Sequence, residues 1–219
     1  MGEDPAEGVV QDGVFLHPDL DLRLAFPADW RIANTHAALV AAPPDGPLVA
    51  VLELQEEYPD PQAAAVRFLR ASKRNAVLLE SGPLDGAAVP AYQAALRLPR
   101  PGEPLYARMF WLALGGKIYR LECVGSAAAH ERLGETIVAT AQSFRPLTPE
   151  ERERFHVRHL RVIPARAGER FEDALTRGGN VARLDQIALM NALDVGDRLS
   201  AGQRVKVVVE TPYAKLARP

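Results

Sequence analysis

The sequence predicts an α+β protein, an antiparallel meander sheet with two helices, followed by a small βααβ unit. Three observations predict this. Leu20, Leu22, Leu24 and Phe26 alternate with other residues, the period of two that gives a strand one buried face. Short turn clusters separate such runs, among them Pro43-Pro44-Asp45-Gly46-Pro47 and Gly115-Gly116, as hairpins require. Charge divides the chain: residues 1–151 carry 13 Lys+Arg against 20 Asp+Glu, and residues 152–219 carry 13 against 8. An acidic body and a basic second part imply two units with different surfaces. The basic excess reads as solvated charge, with contact to an anionic polymer as the functional alternative.

The elements follow in order. Pro27 and Asp29 break the first strand before Trp30, and residues 37–42 and 48–54 form a hairpin across the proline-rich turn. Asp60-Pro61 starts a helix, because Asp caps free N–H groups and Pro suits the first helical position. That helix reaches about Arg74, with Val66, Leu69, Ala65 and Ala76 inward and Arg67, Arg70 and Arg74 as a solvated stripe. Strands are predicted at residues 76–84, 88–98, 105–114 and 117–124, with the helices on one side of the sheet. In the last strand Tyr119, Leu121 and Cys123 share a face, so Cys123 is a small buried apolar residue. Ser126 caps a helix to about Ser143, with Leu133, Ile137, Val138 and Ala141 as its stripe.

Residues 145–157 are charged and contain two prolines, and Thr148 and Glu151 have capping-box spacing. The first domain is therefore set at residues 9–147, a linker at 148–157 and the second unit at 158–210. In the second unit a strand over 159–163 precedes Gly168-Glu169 and a helix with Phe171, Ala174 and Leu175 inward. Gly178-Gly179-Asn180 ends it. A second helix carries Leu184, Ile187 and Ala188, residues 191–199 form a loop, and Gly202-Gln203 turns into a strand over 204–209. The tail from Thr211 is expected to be loose.

Composition and motifs narrow the chemistry. With 47% hydrophobic and 25% charged residues the chain has enough apolar material for a core. No apolar run reaches the roughly 18 residues of a membrane span. Met1-Gly2-Glu3-Asp4-Pro5 lacks the basic and apolar regions of a signal peptide. One cysteine excludes an internal disulfide and a Cys-rich metal site. His130-Glu131 has no second histidine at HExxH spacing. His156 and His159 would point to opposite faces of a strand. Phosphate loops and a G-x-S-x-G elbow are absent from the sequence. No catalytic residue, metal ligand or cofactor is assigned to this chain.

The second unit carries the most specific pattern. Leu160-Arg161-Val162-Ile163, Gly168-Glu169-Arg170-Phe171, Leu189-Met190-Asn191-Ala192-Leu193 and Leu199-Ser200-Ala201-Gly202-Gln203-Arg204-Val205 resemble a LysM module. The resemblance implies N-acetylglucosamine polymers bound between the two strand–helix loops, at Gly168, Glu169, Arg170, Asn191, Leu193 and Asp194. The alternative role of these residues is to shape the loops. The sequence departs from the usual Gly-Asp-Thr: Glu169 replaces Asp and Arg170 replaces Thr. Arg cannot cap a helix, so the cap is weaker or comes from elsewhere.

In the first unit, Phe15-Leu16-His17-Pro18-Asp19-Leu20, Phe26-Pro27-Ala28-Asp29-Trp30-Arg31-Ile32-Ala33-Asn34, Ile118-Tyr119-Arg120 and Ser143-Phe144-Arg145-Pro146-Leu147-Thr148 resemble the region after the protease domain in secreted HtpX-like and BepA-like zinc metallopeptidases. Phe-Pro-x-x-Trp strands also resemble PsbP-like folds. Together these likenesses imply a PsbP-like domain followed by a LysM-like module: the non-catalytic C-terminal region of a periplasmic or envelope-associated peptidase, without its HExxH domain and hence without zinc. The implied partners are its own protease domain, peptidoglycan or an envelope protein. A stand-alone glycan-binding protein is the alternative. A small enzyme with a sheet pocket near Tyr92, Arg108, Trp111 and Glu122 is the third. Nucleic acid is not expected, because the basic part lacks aromatics beyond Phe155, Phe171 and Tyr213.

Overall fold

The structure, a computed structural model, describes residues 5–35, 37–55, 60–72 and 76–213. It divides into two units, Met1–Pro149 and Glu150–Pro219. Unit 1 opens with a three-stranded antiparallel sheet of β1 (Val9–Gln11), β2 (Val14–His17) and β3 (Leu22–Ala25). Then come β4 (Arg31–Asn34), β5 (Leu39–Ala42), β6 (Leu48–Leu54), helix α1 (Pro61–Ser72), β7 (Val77–Pro83), β8 (Ala91–Leu98), β9 (Leu105–Leu114), β10 (Lys117–Gly125) and helix α2 (Ala127–Gln142). The large sheet has the order β4-β5-β6-β10-β9-β8-β7. It is two antiparallel meanders, β4–β6 and β7–β10, joined where β6 pairs β10. The fold is thus α+β with an antiparallel meander sheet.

Both helix starts form as their sequences require. Asp60 Oδ1 accepts from the Ala63 N–H at 2.7 Å, and Ser126 Oγ accepts from the Ala129 N–H at 3.2 Å. Phe26 and Trp30 stack at 6.0 Å and join the main core. Three expectations are corrected. The first strand begins at Leu22, because residues 18–21 make a turn closed by the Asp21 N–H on the Pro18 carbonyl. Val66, expected inward, is only half-buried and lies outside the core under α1, whereas Leu69 packs partly on that core and Ala64 and Ala65 are buried. The end expected at Arg74 lies outside the described residues, as do Met1 to Asp4.

The third correction concerns the helices, which do not share a side. Ala64 and Ala65 of α1 cluster with Ala94, Met109 and Trp111. Ala129, Ile137 and Ala141 of α2 cluster with Phe110, Leu112, Tyr119 and Leu121. Successive strand residues face opposite sides, so these two sets lie on opposite faces. The cause is β9, where Met109, Phe110, Trp111 and Leu112 are all buried. Four consecutive buried side chains need cover on both faces.

Unit 2 opens in the short helix α3 (Pro149–Glu153) and contains β11 (His156–Pro164), α4 (Phe171–Arg177), α5 (Leu184–Asn191) and β12 (Arg204–Pro212). β11 and β12 pair antiparallel along their length. Phe171, Ala174, Leu175 and Ile187 pack on Val205 and Val207. Gly178 ends α4 with an ordinary φ; a Cβ there would meet Ile163 and Val207 at 2.8 Å. Close approach, not a left-handed turn, demands this glycine. Leu184 was expected inside but is exposed, because α5 turns Ile187 and Ala188 to the core. Thr211 was expected in a loose tail but pairs with Val157. His156 and Val157, expected in a linker, lie in β11.

The Ser126 hydroxyl serves one free N–H of α2, so Ser126→Ala should lower unfolding stability by about 1 kcal/mol, measured by urea denaturation.

Candidate functional site

Unit 1 has a concave surface where α2 runs beside β7, β8 and β9. Arg108 rises from β9 on the α2 face and lines two neighbouring cavities of about 500 and 140 Å³. Its Nη2 donates to Gln93 Oε1 at 3.0 Å and to Glu80 Oε1 at 3.4 Å. Its Nε is buried without a hydrogen-bond partner. Glu131 and Glu135, one helical turn apart, line the larger cavity, and Leu79 and His130 line the smaller. His130 Nε2 lies 2.9 Å from the Tyr106 carbonyl. A carbonyl only accepts, so that nitrogen carries the proton. Burial lowers the His130 pKa, the Tyr106 bond raises it and Arg108 lowers it.

Gly134 lines both cavities from the middle of α2, and a Cβ there would meet nothing within 4 Å. Packing does not require glycine at this point, although glycine weakens a helix interior. It leaves the mouth of the cleft open. Across the cleft, the β7–β8 register shifts between Leu78 and Glu80. Such a bulge sets two residues of one strand against one of the other. Leu79 and Glu80 thereby both reach the α2 face. Neither feature was read from the sequence. The signals were a glycine inside an amphipathic helix and three successive apolar residues, Val77-Leu78-Leu79, in a strand with a solvent face.

The α1 face holds an apolar cavity of about 360 Å³, lined by Val66, Leu69, Leu78, Tyr92 and Leu96, with Arg70 and Ser81 also on its wall. The Tyr92 hydroxyl lies 3.3 Å from Ser81 Oγ. Further along this face Arg120 donates to Glu53 at 2.7 Å, lies 3.7 Å from Glu122 and sits 4.7 Å over the Phe68 ring. Burial pushes the Glu122 carboxyl up, Arg120 pulls it down and Glu53 pushes it up. The four residues singled out for a sheet pocket therefore do not converge. Tyr92, Trp111 and Glu122 occupy the α1 face, where Trp111 is fully buried against Phe68, and Arg108 occupies the other. Cys123 is buried, and burial pushes its thiol up to about 12, so it is not a thiolate nucleophile at neutral pH.

In unit 2 the two candidate loops are tied together by backbone. The Gly168 N–H donates to the Leu199 carbonyl, and the Leu199 N–H donates to the Glu169 carbonyl. Gly168 holds φ +69°. Arg170 stands at the N-cap of α4 without a side-chain cap bond and pairs with Glu172 at 2.7 Å. The Phe171 N–H, one of the free donors of that helix, is taken by the Asp197 carbonyl at 2.9 Å. Glu169 accepts twice from Arg177 and once from the Arg166 N–H, and these bonds lower its pKa to about 2. Asn191 donates to the Ile187 and Lys206 carbonyls and accepts from the Lys206 N–H, so its amide is occupied in joining α5 to β12. Leu193 packs partly on the core. The Asp194 N–H donates to Asp197 Oδ2. Among these six, Gly168 and Arg170 are the exposed ones in the first loop. Among the described residues no group of three or more His, Cys, Asp or Glu is placed to hold a metal ion. No described helix is long and apolar enough to cross a membrane.

No known protein family model matches the sequence, and no curated protein matches it. Solved structures are similar at a distance. Cyanobacterial PsbP (CyanoP) from Synechocystis sp. PCC 6803 aligns over 64% of this chain and 96% of its own, with 13% identity and a TM-score of 0.47. LpqN of Mycobacterium tuberculosis, involved in cell envelope biogenesis, aligns over 57% and 83%, with 16% identity and a TM-score of 0.40. The Ran-binding protein Mog1p of Saccharomyces cerevisiae aligns over 59% and 92%, with 5% identity and a TM-score of 0.44. The likeness to the PsbP-like arrangement is loose, and the assignment of fold class rests on the strand order itself.

Two outcomes follow for the cleft. Gly134→Ala should raise unfolding stability by about 0.5–1 kcal/mol, read from a shifted urea midpoint at constant slope. His130 has a depressed pKa in the folded state, so unfolding releases a site that binds protons more readily. Stability should then fall as pH drops through the ordinary histidine value of about 6.5. His130→Gln should reduce that slope between pH 7.5 and 5.5 in paired denaturation curves.

Proposed function

We propose that this chain is a non-catalytic binding region of a cell-envelope protein, one that positions a partner. The observation that carries the reading is the unit 1 cleft. In it Arg108 bonds Glu80 and Gln93, His130 bonds the Tyr106 carbonyl, and beside them β7 exposes apolar side chains. Groups held in this way suit recognition, where fixed polar points orient a partner.

The finer reading takes its support from residues 15–20, 26–34, 118–120 and 143–148, whose pattern is similar to the region after the protease domain of HtpX-like and BepA-like zinc metallopeptidases. On that reading the chain guides substrate to a protease domain and zinc belongs to that domain alone. Sequencing the reading frame upstream of Gly2 tests it: an HExxH-encoding segment is expected, and a frame without one overturns it.

A glycan-binding role for unit 2 has its own support. The βααβ order of β11, α4, α5 and β12 is consistent with the LysM-like pattern, and backbone bonds join the two loops of the unit. The chain should be retained on insoluble peptidoglycan at low salt. Arg170→Ala removes an exposed side chain without removing a helix cap, so it should lower retention several-fold and leave the fold intact. Absence of retention at low salt overturns the glycan role.

A further inference from the structure

β7 is an edge strand, and among the described residues its outer side meets no further strand of the sheet. Edge strands are commonly short or blunted by charge and proline, because their unpaired N–H and C=O groups invite another chain. β7 has seven residues and opens with Val77, Leu78 and Leu79, which are 41%, 49% and 53% exposed. Pro83, which has no N–H, closes it.

A cavity flanks this edge on each face. On the α1 face, Leu78 and Ser81 form a wall of the apolar cavity with Val66, Leu69 and Tyr92. On the α2 face, Leu79 borders the smaller cavity beside His130, and Glu131 and Glu135 border its neighbour. Glu80 projects to this second face, with its side chain 64% exposed. A strand laid along β7 would send alternate side chains to opposite faces. One set would meet mainly apolar surface beside Arg70, and the other would meet Glu80 on the edge itself, with Arg97 and Arg108 on the same face and Glu131 and Glu135 in the neighbouring cavity. The exposed Glu80 carboxylate therefore calls for a basic side chain opposite it.

We propose that β7 binds an extended segment of a partner protein by strand addition, and that this segment alternates apolar with Lys or Arg residues. The proposal rests on the reading of the chain as a binding region and names its partner's chemistry. Main-chain bonds to the free edge supply affinity, and the two flanking surfaces supply selectivity. A second copy of this chain fits less well. Two β7 strands paired antiparallel about their middle would set Glu80 against Glu80, and like charges directly opposite are destabilising.

The test titrates the full chain with an end-blocked Val-Lys-Val-Lys-Val-Lys-Val peptide. Its controls are the same peptide with Glu for Lys and a copy N-methylated at alternate residues. Calorimetry gives affinity, and amide NMR locates the site. The lysine peptide should bind about tenfold more tightly than either control, weaken as salt rises, and shift the amides of residues 77–82. Leu79→Lys should cost about tenfold, while unchanged β9 and β10 amides show that the fold persists. Equal binding of the three peptides, binding by none, or indifference to Leu79→Lys overturns the proposal. A dimer in sedimentation that Leu79→Lys dissociates also overturns it, in favour of a second copy. Peptidoglycan retention of the unaltered chain is measured alongside: retention with no peptide binding condemns the β7 edge alone, and absence of both condemns the binding reading.

Discussion

The architecture of unit 1 depends on one strand that cannot face water on either side. β9 buries Met109, Phe110, Trp111 and Leu112 in succession, and full burial of such side chains stabilises by roughly 1.5–3 kcal/mol each. A strand with that demand must lie inside the sheet and needs a layer above and a layer below. α1 meets it from one face through Ala64, Ala65 and Phe68, and α2 meets it from the other through Ala129, Ile137 and Ala141. The chain route follows. From β6 the polypeptide crosses as α1 to the far edge, returns through β7, β8, β9 and β10, and leaves as α2 on the opposite face.

Cover centred on β9 leaves the margins of the sheet thin. Seven strands spaced by roughly 4.8 Å span about 29 Å, while one helix is about 10 Å across. On the α2 face the three-stranded sheet adds Phe15, Leu22 and Leu24 to the core. Its anchor includes Ser143, whose hydroxyl accepts from the Ala25 N–H at 2.8 Å and donates to the Thr140 carbonyl. β7 lies at the other margin, and its exposed apolar side chains follow from the same geometry. The cleft is thus a consequence of the burial problem that β9 imposes, kept open by Gly134 and aimed by the bulge at Leu79.

Much of this was legible in the residues. Caps at Asp60 and Ser126, the Gly115-Gly116 hairpin and the burial of Cys123 follow from local chemistry. The side on which each helix packs was misread, although Met109-Phe110-Trp111-Leu112 carries the signal: a run without alternation means two buried faces. The first hairpin, β1 and β2, went unread because its strands are three and four residues long, too short to show a period. The cleft was less legible still. Arg108, His130, Gly134 and Glu80 lie on three strands or helices, and only the register between β7, β8 and β9 brings them together. Register is set by packing and by the bulge, and no spacing along the chain encodes it.

Unit 2 shows how a departure from a motif can be absorbed. A threonine at the position of Arg170 would cap α4 with its side chain; arginine has only donors and cannot. The structure satisfies the first N–H of the helix from the backbone, while the next donors go without a side-chain cap. The Asp197 carbonyl receives the Phe171 N–H, and the adjoining Gly168–Leu199 and Leu199–Glu169 bonds hold that carbonyl in place. Glu169 adds a second brace by gripping Arg177 of α4 and the Arg166 N–H at once. The loop's shape therefore no longer depends on the residue at 170. The Arg170 side chain is left exposed and pairs with Glu172, in an ion pair of a kind that contributes little to stability. A side chain released from a structural duty is one whose identity can be set by what the loop meets.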